Sequence, residues 1–458
     1  MNSDTDSPAR TDRGTTGAAT AFMDAMRAMA ASLVVVSHVI LIFFDNKVQF
    51  PLRGLAVAFL FILSGFLISR SLLHRARKPG PHVPNFLADR CARILTPLVP
   101  AVLAIALLDA TVIEARMGGD GLSSGPVALV GNLLLLLDYP LFQALAVAGV
   151  DVSGWRIRPY NTAEPYWTVA IEFWLYIAAA MLVFCALLKE RVRTGWLVLL
   201  TAVSVPVVIW NAADGPGKSL TLIWMLGAAA GFLAQVLGRE AVVSRAPSLC
   251  WWIAGTGAIS LAMRVFKLGF DPYDLQTAFL LVTVFLGLFL RLNRARSVPR
   301  PVARVAGFFA SYSYSLYLVH NTILVIVFEQ AVGLPKALAV AIAVVLAHAC
   351  ALMLHHAFEK HHRRVGSWLR PRFTRALTPA AERPAATTVA PVVAPVPVAA
   401  ASVAQAAPEP SVALPSPAEV IGGAVAAATA VAAAAASLVP DVVEPGDTPP
   451  LGGGLQPQ

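Results

Sequence analysis

Ten apolar stretches, each long enough to cross a lipid bilayer, decide what this chain can fold into. A hydrocarbon core takes roughly 20 residues of helix. The runs at 22–44, 54–73, 95–113, 166–188, 196–212, 219–237, 248–264, 275–291, 307–330 and 336–357 meet that measure. The predicted fold is all-α, a polytopic membrane protein of about ten transmembrane helices in one bundle. Composition agrees: 13% of the 458 residues are charged and 57% are hydrophobic, against about 25% charged in a soluble domain. A further apolar stretch, 127–147, runs into Asp138, Tyr139 and Pro140 and reads as a re-entrant or interfacial segment on the outer side.

The loops sort by charge. Lys and Arg collect after the second, fourth, sixth, eighth and tenth runs, and the intervening loops are poorer in them, with Arg156, Arg158, Arg264 and Lys267 as exceptions. The positive-inside rule then places both termini in the cytoplasm, as an even number of spans requires. The net charge of +9 is an orientation signal in such a chain; no nucleic-acid partner is expected, and membrane lipids are. Residues 1–21 are polar and expected to be disordered, the first run is expected to act as an uncleaved anchor, and the membrane is expected to be the plasma or inner membrane. The membrane domain is expected over 22–365. Residues 366–458, rich in Ala and Pro, are expected to be a disordered tail, in which 421–439 is a possible extra span or interfacial helix. The four cysteines lack paired or metal-site spacing and read as free thiols.

The first run carries Arg27 and His38. At about 1.5 Å and 100° per residue they lie roughly 16 Å apart along one helix and about 20° from the same angular position. Ionisable groups inside a membrane are costly and usually functional. A snorkelling arginine and a hydrogen-bonded packing histidine are the plain alternative; the shared stripe favours a site.

Other polar residues interrupt the apolar runs. Ser64 and Gly65 break the second, where small residues allow close helix packing or line a polar channel. Arg90 and Arg93 share a helical face before the third and suit either anionic lipid or the phosphates of a nucleotide-like ligand. Glu172 lies in the fourth with Trp167 before it and Tyr176 one turn after; a carboxylate there must be paired, hydrogen-bonded or protonated, and His38 or Arg27 would suit it. The ninth carries Tyr314, His320 and Asn321. The histidines beyond the tenth sit among Lys360, Arg363 and Arg364, where a cation is repelled, so no metal is expected.

Four motifs together resemble the acyltransferase type 3 family of integral-membrane O-acyltransferases: Arg27 with His38 at R-x10-H spacing; Leu63-Ser64-Gly65-Phe66-Leu67-Ile68; Trp167-Thr168-Val169-Ala170-Ile171-Glu172 continuing to Tyr176; and Ser313-Tyr314-Ser315-Leu316-Tyr317-Leu318-Val319-His320. The basic loop with Arg90, Arg93 and Pro97 is similar too, and the match spans about residues 22–365. The resemblance implies a ten-helix enzyme that takes an acyl group, most simply acetyl, from cytoplasmic acyl-coenzyme A. It passes the group to a hydroxyl of a carbohydrate, cell-surface glycan or related acceptor. It implies His38 as catalytic base, with Arg27 and Glu172 in the catalytic group. Arg27, Arg90, Arg93, Ser64 and Gly65 are expected beside the coenzyme, and Trp167, Tyr176, Tyr314, His320 and Asn321 beside the acceptor. Glu172 or another buried polar group is expected to set the tautomer of His38. Phe173 stands where many members carry a second acidic residue, Ala58–Phe61 lacks an aspartate common there, and no soluble hydrolase-like domain follows. Ten spans with buried Arg, His and Glu also suit a proton-coupled transporter, but the two halves show no internal repeat.

Overall fold

The computed structural model describes residues 17–44, 51–113, 125–152, 155–213, 219–237, 247–294 and 298–380. Residues 1–16 and 381–458, including the 421–439 stretch, lie outside them. The described residues form helices and connecting turns, with no strand among them. In chain order the helices are α1 (Gly17–Phe44), α2 (Leu52–Ala76), α3 (His82–Leu108), α4 (Pro126–Leu133), α5 (Pro140–Val147), α6 (Tyr166–Ala180) and α7 (Thr194–Ala213). Then follow α8 (Leu220–Leu237), α9 (Pro247–Leu268), α10 (Leu275–Leu292), α11 (Arg300–Ser311), α12 (Ser313–Gln330), α13 (Lys336–Ala357) and α14 (His362–Leu377). Both α3 and α6 run on into π-helical turns, at Asp109–Ile113 and Met181–Leu187.

Among the described residues nine helices are long and apolar enough to cross a membrane, and ten if α11 and α12 count as one bent span. The expected run 307–330 is therefore broken. The helix turns by 55° at Tyr312, whose φ of −111° and ψ of 11° leave the helical range. Before the break α11 carries exposed Arg300 and Val302 and only two buried residues, Ala306 and Ala310, so it cannot sit deep in the bundle. Beyond the break α12 buries Ser315, His320, Asn321 and Thr322. The 127–147 stretch, expected to be re-entrant or interfacial, is two short helices that part at Leu134–Tyr139. Leu135 and Asp138 take φ of 56° and 43°, and Pro140 opens α5. Residues 366–377, where the tail was expected to begin, instead belong to α14, an amphipathic helix packed on α3.

In lipid, apolar surface gains little by leaving one apolar surrounding for another, so close fit and polar bonds hold helices together. The tightest seam is α2 against α8. A Cβ on Gly65 would overlap the Trp224 carbonyl oxygen, and one on Gly227 the Ile62 carbonyl oxygen. One end of the bundle, here the basic end, is tied by charge. Asp89 holds Arg75 and Arg370, Glu190 accepts from the His82 and Val83 amides at 2.9 and 3.2 Å, and the Arg193 amide donates to Leu377. At the far end Arg53 pairs with Glu164 at 3.6 Å and Arg156 with Asp138 at 2.8 Å. The long connection before α6 is sewn into the bundle there. Thr162 donates to the fully buried Asp109 at 2.8 Å, and Asn321 donates to the Thr162 carbonyl at 2.8 Å.

Candidate active site

Helices α1 and α12 bring two imidazoles face to edge. His38 is 4% exposed, and its ring centroid lies 4.8 Å from that of His320, with the planes at 80°. The Nδ1 of His38 is 2.9 Å from the Val34 carbonyl oxygen, one turn earlier in α1. A carbonyl only accepts, so Nδ1 carries the proton and Nε2 keeps its lone pair. The same logic fixes His320: its Nδ1 donates to the carbonyls of Tyr317 and Leu316 at 2.8 and 3.1 Å. The Nε2 of His320 is buried without a hydrogen-bond partner. A helical histidine that donates back to its own turn presents its other nitrogen outward as an acceptor. The two rings meet inside the bundle, and Nε2 of His320 is left there as an acceptor with no donor.

Of the two partners expected to set the tautomer of His38, it is the other buried polar group, the Val34 carbonyl, that does so, and not Glu172. Its carboxylate accepts from the Tyr176 hydroxyl one turn on. Tyr176 lies 2.9 Å from the Ser64 hydroxyl, and Ser64 accepts from the Trp224 indole N–H at 3.1 Å. Because the indole can only donate and the carboxylate only accept, the chain runs one way, from Trp224 through Ser64 and Tyr176 to Glu172. The Val34 carbonyl, which replaces Glu172 as the partner of His38, left no mark in the sequence because any helix supplies it.

The basic groups gather around this chain. Arg90 and Arg93 both interact electrostatically with Glu172, and Arg27 with Arg93, Glu359 and Tyr176. Arg27 also pairs with Asp24 at 3.4 Å, both side chains being partly exposed. Arg93 pairs at 3.2 Å with Glu359, which is fully buried and accepts from the Ser315 hydroxyl at 2.6 Å. Arg90 stands over the Phe86 ring at 5.6 Å. Thus Arg27, Arg90, Arg93, Ser64, Glu172 and Tyr176 form one polar group toward the basic end. His38 and His320 form another nearer the far end, where the charges that reach His38 are Glu164 and Arg53. The uninterrupted α1 joins them across the roughly 16 Å that its geometry dictates.

The remaining expected residues fall elsewhere. Tyr314 interacts with Glu172, Glu359 and Arg93, so it belongs to the arginine group rather than beside His320. Asn321 is occupied with the Thr162 loop. Gly65 turns its open side to Trp224 and Ala228, which makes it a packing position rather than a coenzyme contact. Trp167 lines a separate cavity at the far end. Trp224 was not singled out in the sequence because it hides in an apolar run, Ser315 was quoted only as part of the fourth motif, and Glu359 sat in a histidine-rich stretch read for metals. Among the described residues no group of three or more His, Cys, Asp and Glu is placed to hold a metal ion.

A family model described as an acyltransferase domain matches residues 20–368, most of the chain and nearly the range over which the motifs run. Neither comparison with curated proteins nor comparison with solved structures gives a match. The chain belongs to this family, so it is a membrane acyltransferase and the transporter reading falls away.

Proposed function

We propose that this membrane acyltransferase moves an acyl group, most simply acetyl, from acyl-coenzyme A to a hydroxyl of a carbohydrate or cell-surface glycan. The donor enters at the basic end, taken as cytoplasmic with both termini, in the plasma or inner membrane. Arg27, Arg90 and Arg93 offer planar, permanently charged donors suited to its phosphates. The thin pantetheine arm then spans the distance to His38. The acceptor arrives from the far end.

A hydroxyl with a pKa far above 7 attacks a thioester slowly until a base takes its proton. In the step proposed, the acceptor oxygen bonds to the acyl carbon as its proton passes to Nε2 of His38. The carbon–sulfur bond then breaks, and the thiolate leaves with that proton. His320, its Nε2 without a partner, accepts a second hydrogen bond from the acceptor and orients it. The observation that carries this reading is the Nδ1–Val34 bond, which fixes His38 in the tautomer a base at Nε2 requires.

The test is His38→Ala in membranes that still hold folded protein, with labelled acetyl-coenzyme A and a mixture of glycan acceptors. Positioned proton transfer contributes about 10²–10⁴-fold, so acceptor-dependent release of coenzyme A should fall by that much. Activity within a few-fold of wild type would remove His38 as the base.

A further inference from the structure

We propose that the far-end cavity between α6, α7 and the α4–α5 turn is a docking site for one uncharged pyranose ring. This rests on the acyl-transfer reading and gives the acceptor a place to sit. The cavity encloses about 260 Å³ and is lined by Tyr139, Trp167 and Trp174, with Asp138, Glu164 and Asn211 among them.

Two of the aromatic rings in its walls are fixed by hydrogen bonds to backbone carbonyls. The Trp174 indole N–H donates to the Leu135 carbonyl at 2.8 Å, and the Tyr139 hydroxyl donates to the Val203 carbonyl at 3.0 Å. Both bonds are made at the polar edges of rings that line the cavity. Leu135 and Asp138 are in the left-handed region at φ of 56° and 43°, which is uncommon for side chains of this kind and concentrates at binding sites. Aromatic faces carry negative charge density, and the C–H face of a pyranose is weakly positive, so the two stack.

Asn211 adds an independent sign of a ligand. It is 4% exposed, and its Nδ2 donates to the Val207 carbonyl at 3.0 Å. That bond fixes the orientation of the amide and leaves Oδ1 buried without a partner. Buried acceptors of this kind are rarely left unmatched. A sugar hydroxyl supplies the missing donor, while an acyl chain cannot.

The charges decide which sugar. Asp138 is held by Arg156 through Nη2 and Nε at 2.8 and 3.2 Å, and Glu164 pairs with Arg53. Both guanidiniums are engaged by these carboxylates, so neither is left over to pair with an acidic sugar. Glu164, which lines this cavity, is also one of the charges that reach His38.

The experiment is saturation-transfer NMR on the full chain in nanodiscs. The probes are methyl glucoside, galactoside, mannoside and N-acetylglucosaminide, with methyl glucuronide as the acidic probe. Transfer to the ring C–H protons of at least one neutral glycoside is expected, but not to the glucuronide. Binding should weaken about three- to tenfold in Asn211→Leu and in Trp167→Ala, and should persist in His38→Ala. No transfer from any neutral glycoside, equal binding of the glucuronide, or unchanged binding in both cavity variants would overturn the proposal. Binding that passes while His38→Ala keeps its activity would sink the base assignment and leave the cavity standing. Transfer that depends on His38 but is indifferent to Trp167 and Asn211 would do the reverse.

Discussion

Gly65→Ala is the sharpest test of what the second motif does. The added Cβ would overlap the Trp224 carbonyl oxygen and lie 2.9 Å from the Ala228 nitrogen. Both are backbone atoms of α8, so no side chain can swing away, and the helices must part by something on the order of 1 Å. That movement would take the Trp224–Ser64 bond from 3.1 Å past hydrogen-bonding distance. Overpacking costs about 1–3 kcal/mol, and an orphaned buried donor about 1–3 kcal/mol more, so the variant should lose roughly 2–6 kcal/mol. Ser64→Ala removes the bond and leaves the seam closed, and should lose only the second part. Thermal unfolding in detergent, read by fluorescence-detected size exclusion, should therefore rank wild type above Ser64→Ala above Gly65→Ala. If Gly65→Ala unfolds within about a degree of wild type but binds coenzyme A poorly, Gly65 faces the ligand and the packing assignment is wrong.

Three further outcomes are expected. Glu359→Ala takes the partner from half-buried Arg93 and from the buried Ser315 hydroxyl; leaving such polar groups unmatched costs about 1–3 kcal/mol, so the yield of monodisperse protein should fall, with Glu359→Gln in between. Asp274→Ala removes the cap that accepts from the Thr277 amide at 2.8 Å and the 2.7 Å pair with Arg264; it should cost about 0.5–2 kcal/mol, while Asp274→Asn keeps the cap and costs less. Burial pushes the Asp274 carboxyl up, but the bonds from Thr277 and Arg264 outweigh it and hold it below the usual carboxylate range. Its stabilising share is therefore complete at neutral pH and lost only as pH falls through that lowered value, so the gap between wild type and Asp274→Ala should narrow in acid.

The bundle was legible because each span carries its own hydropathy signal, and the first-helix stripe was legible because Arg27 and His38 share one helix. What the sequence hid came from partners on other segments. No periodicity brings Trp224 to Ser64 or Glu359 to Arg93, since those pairings depend on which helices lie side by side. The break at Tyr312 was missed because the run 307–330 is apolar on average, while the exposure of α11 depends on where Arg300 and Arg304 must lie. Gly65 was read two ways, and only the position of α8 decides between them. Tyr314 and His320 share one helix and one motif, yet they serve opposite ends because six residues carry α12 through about 9 Å.

The site chemistry separates proton transfer at His38 from a covalent route through its imidazole. Nε2 of His38 has a lone pair that can take a proton or attack the thioester itself, and the tautomer fixed by Val34 permits both. The neighbouring ring argues for the first. An acyl group on Nε2 would face His320, whose Nε2 is likewise a bare acceptor, so neither ring offers a proton to the oxyanion that forms on the way. A hydroxyl entering the same space brings the donor both nitrogens lack. With labelled acetyl-coenzyme A and no acceptor, purified protein should therefore release no rapid burst of coenzyme A, and release should begin when the acceptor is added. A burst approaching one equivalent per chain, with label retained on His38, would refute the proton-transfer role and make the imidazole the first acyl acceptor.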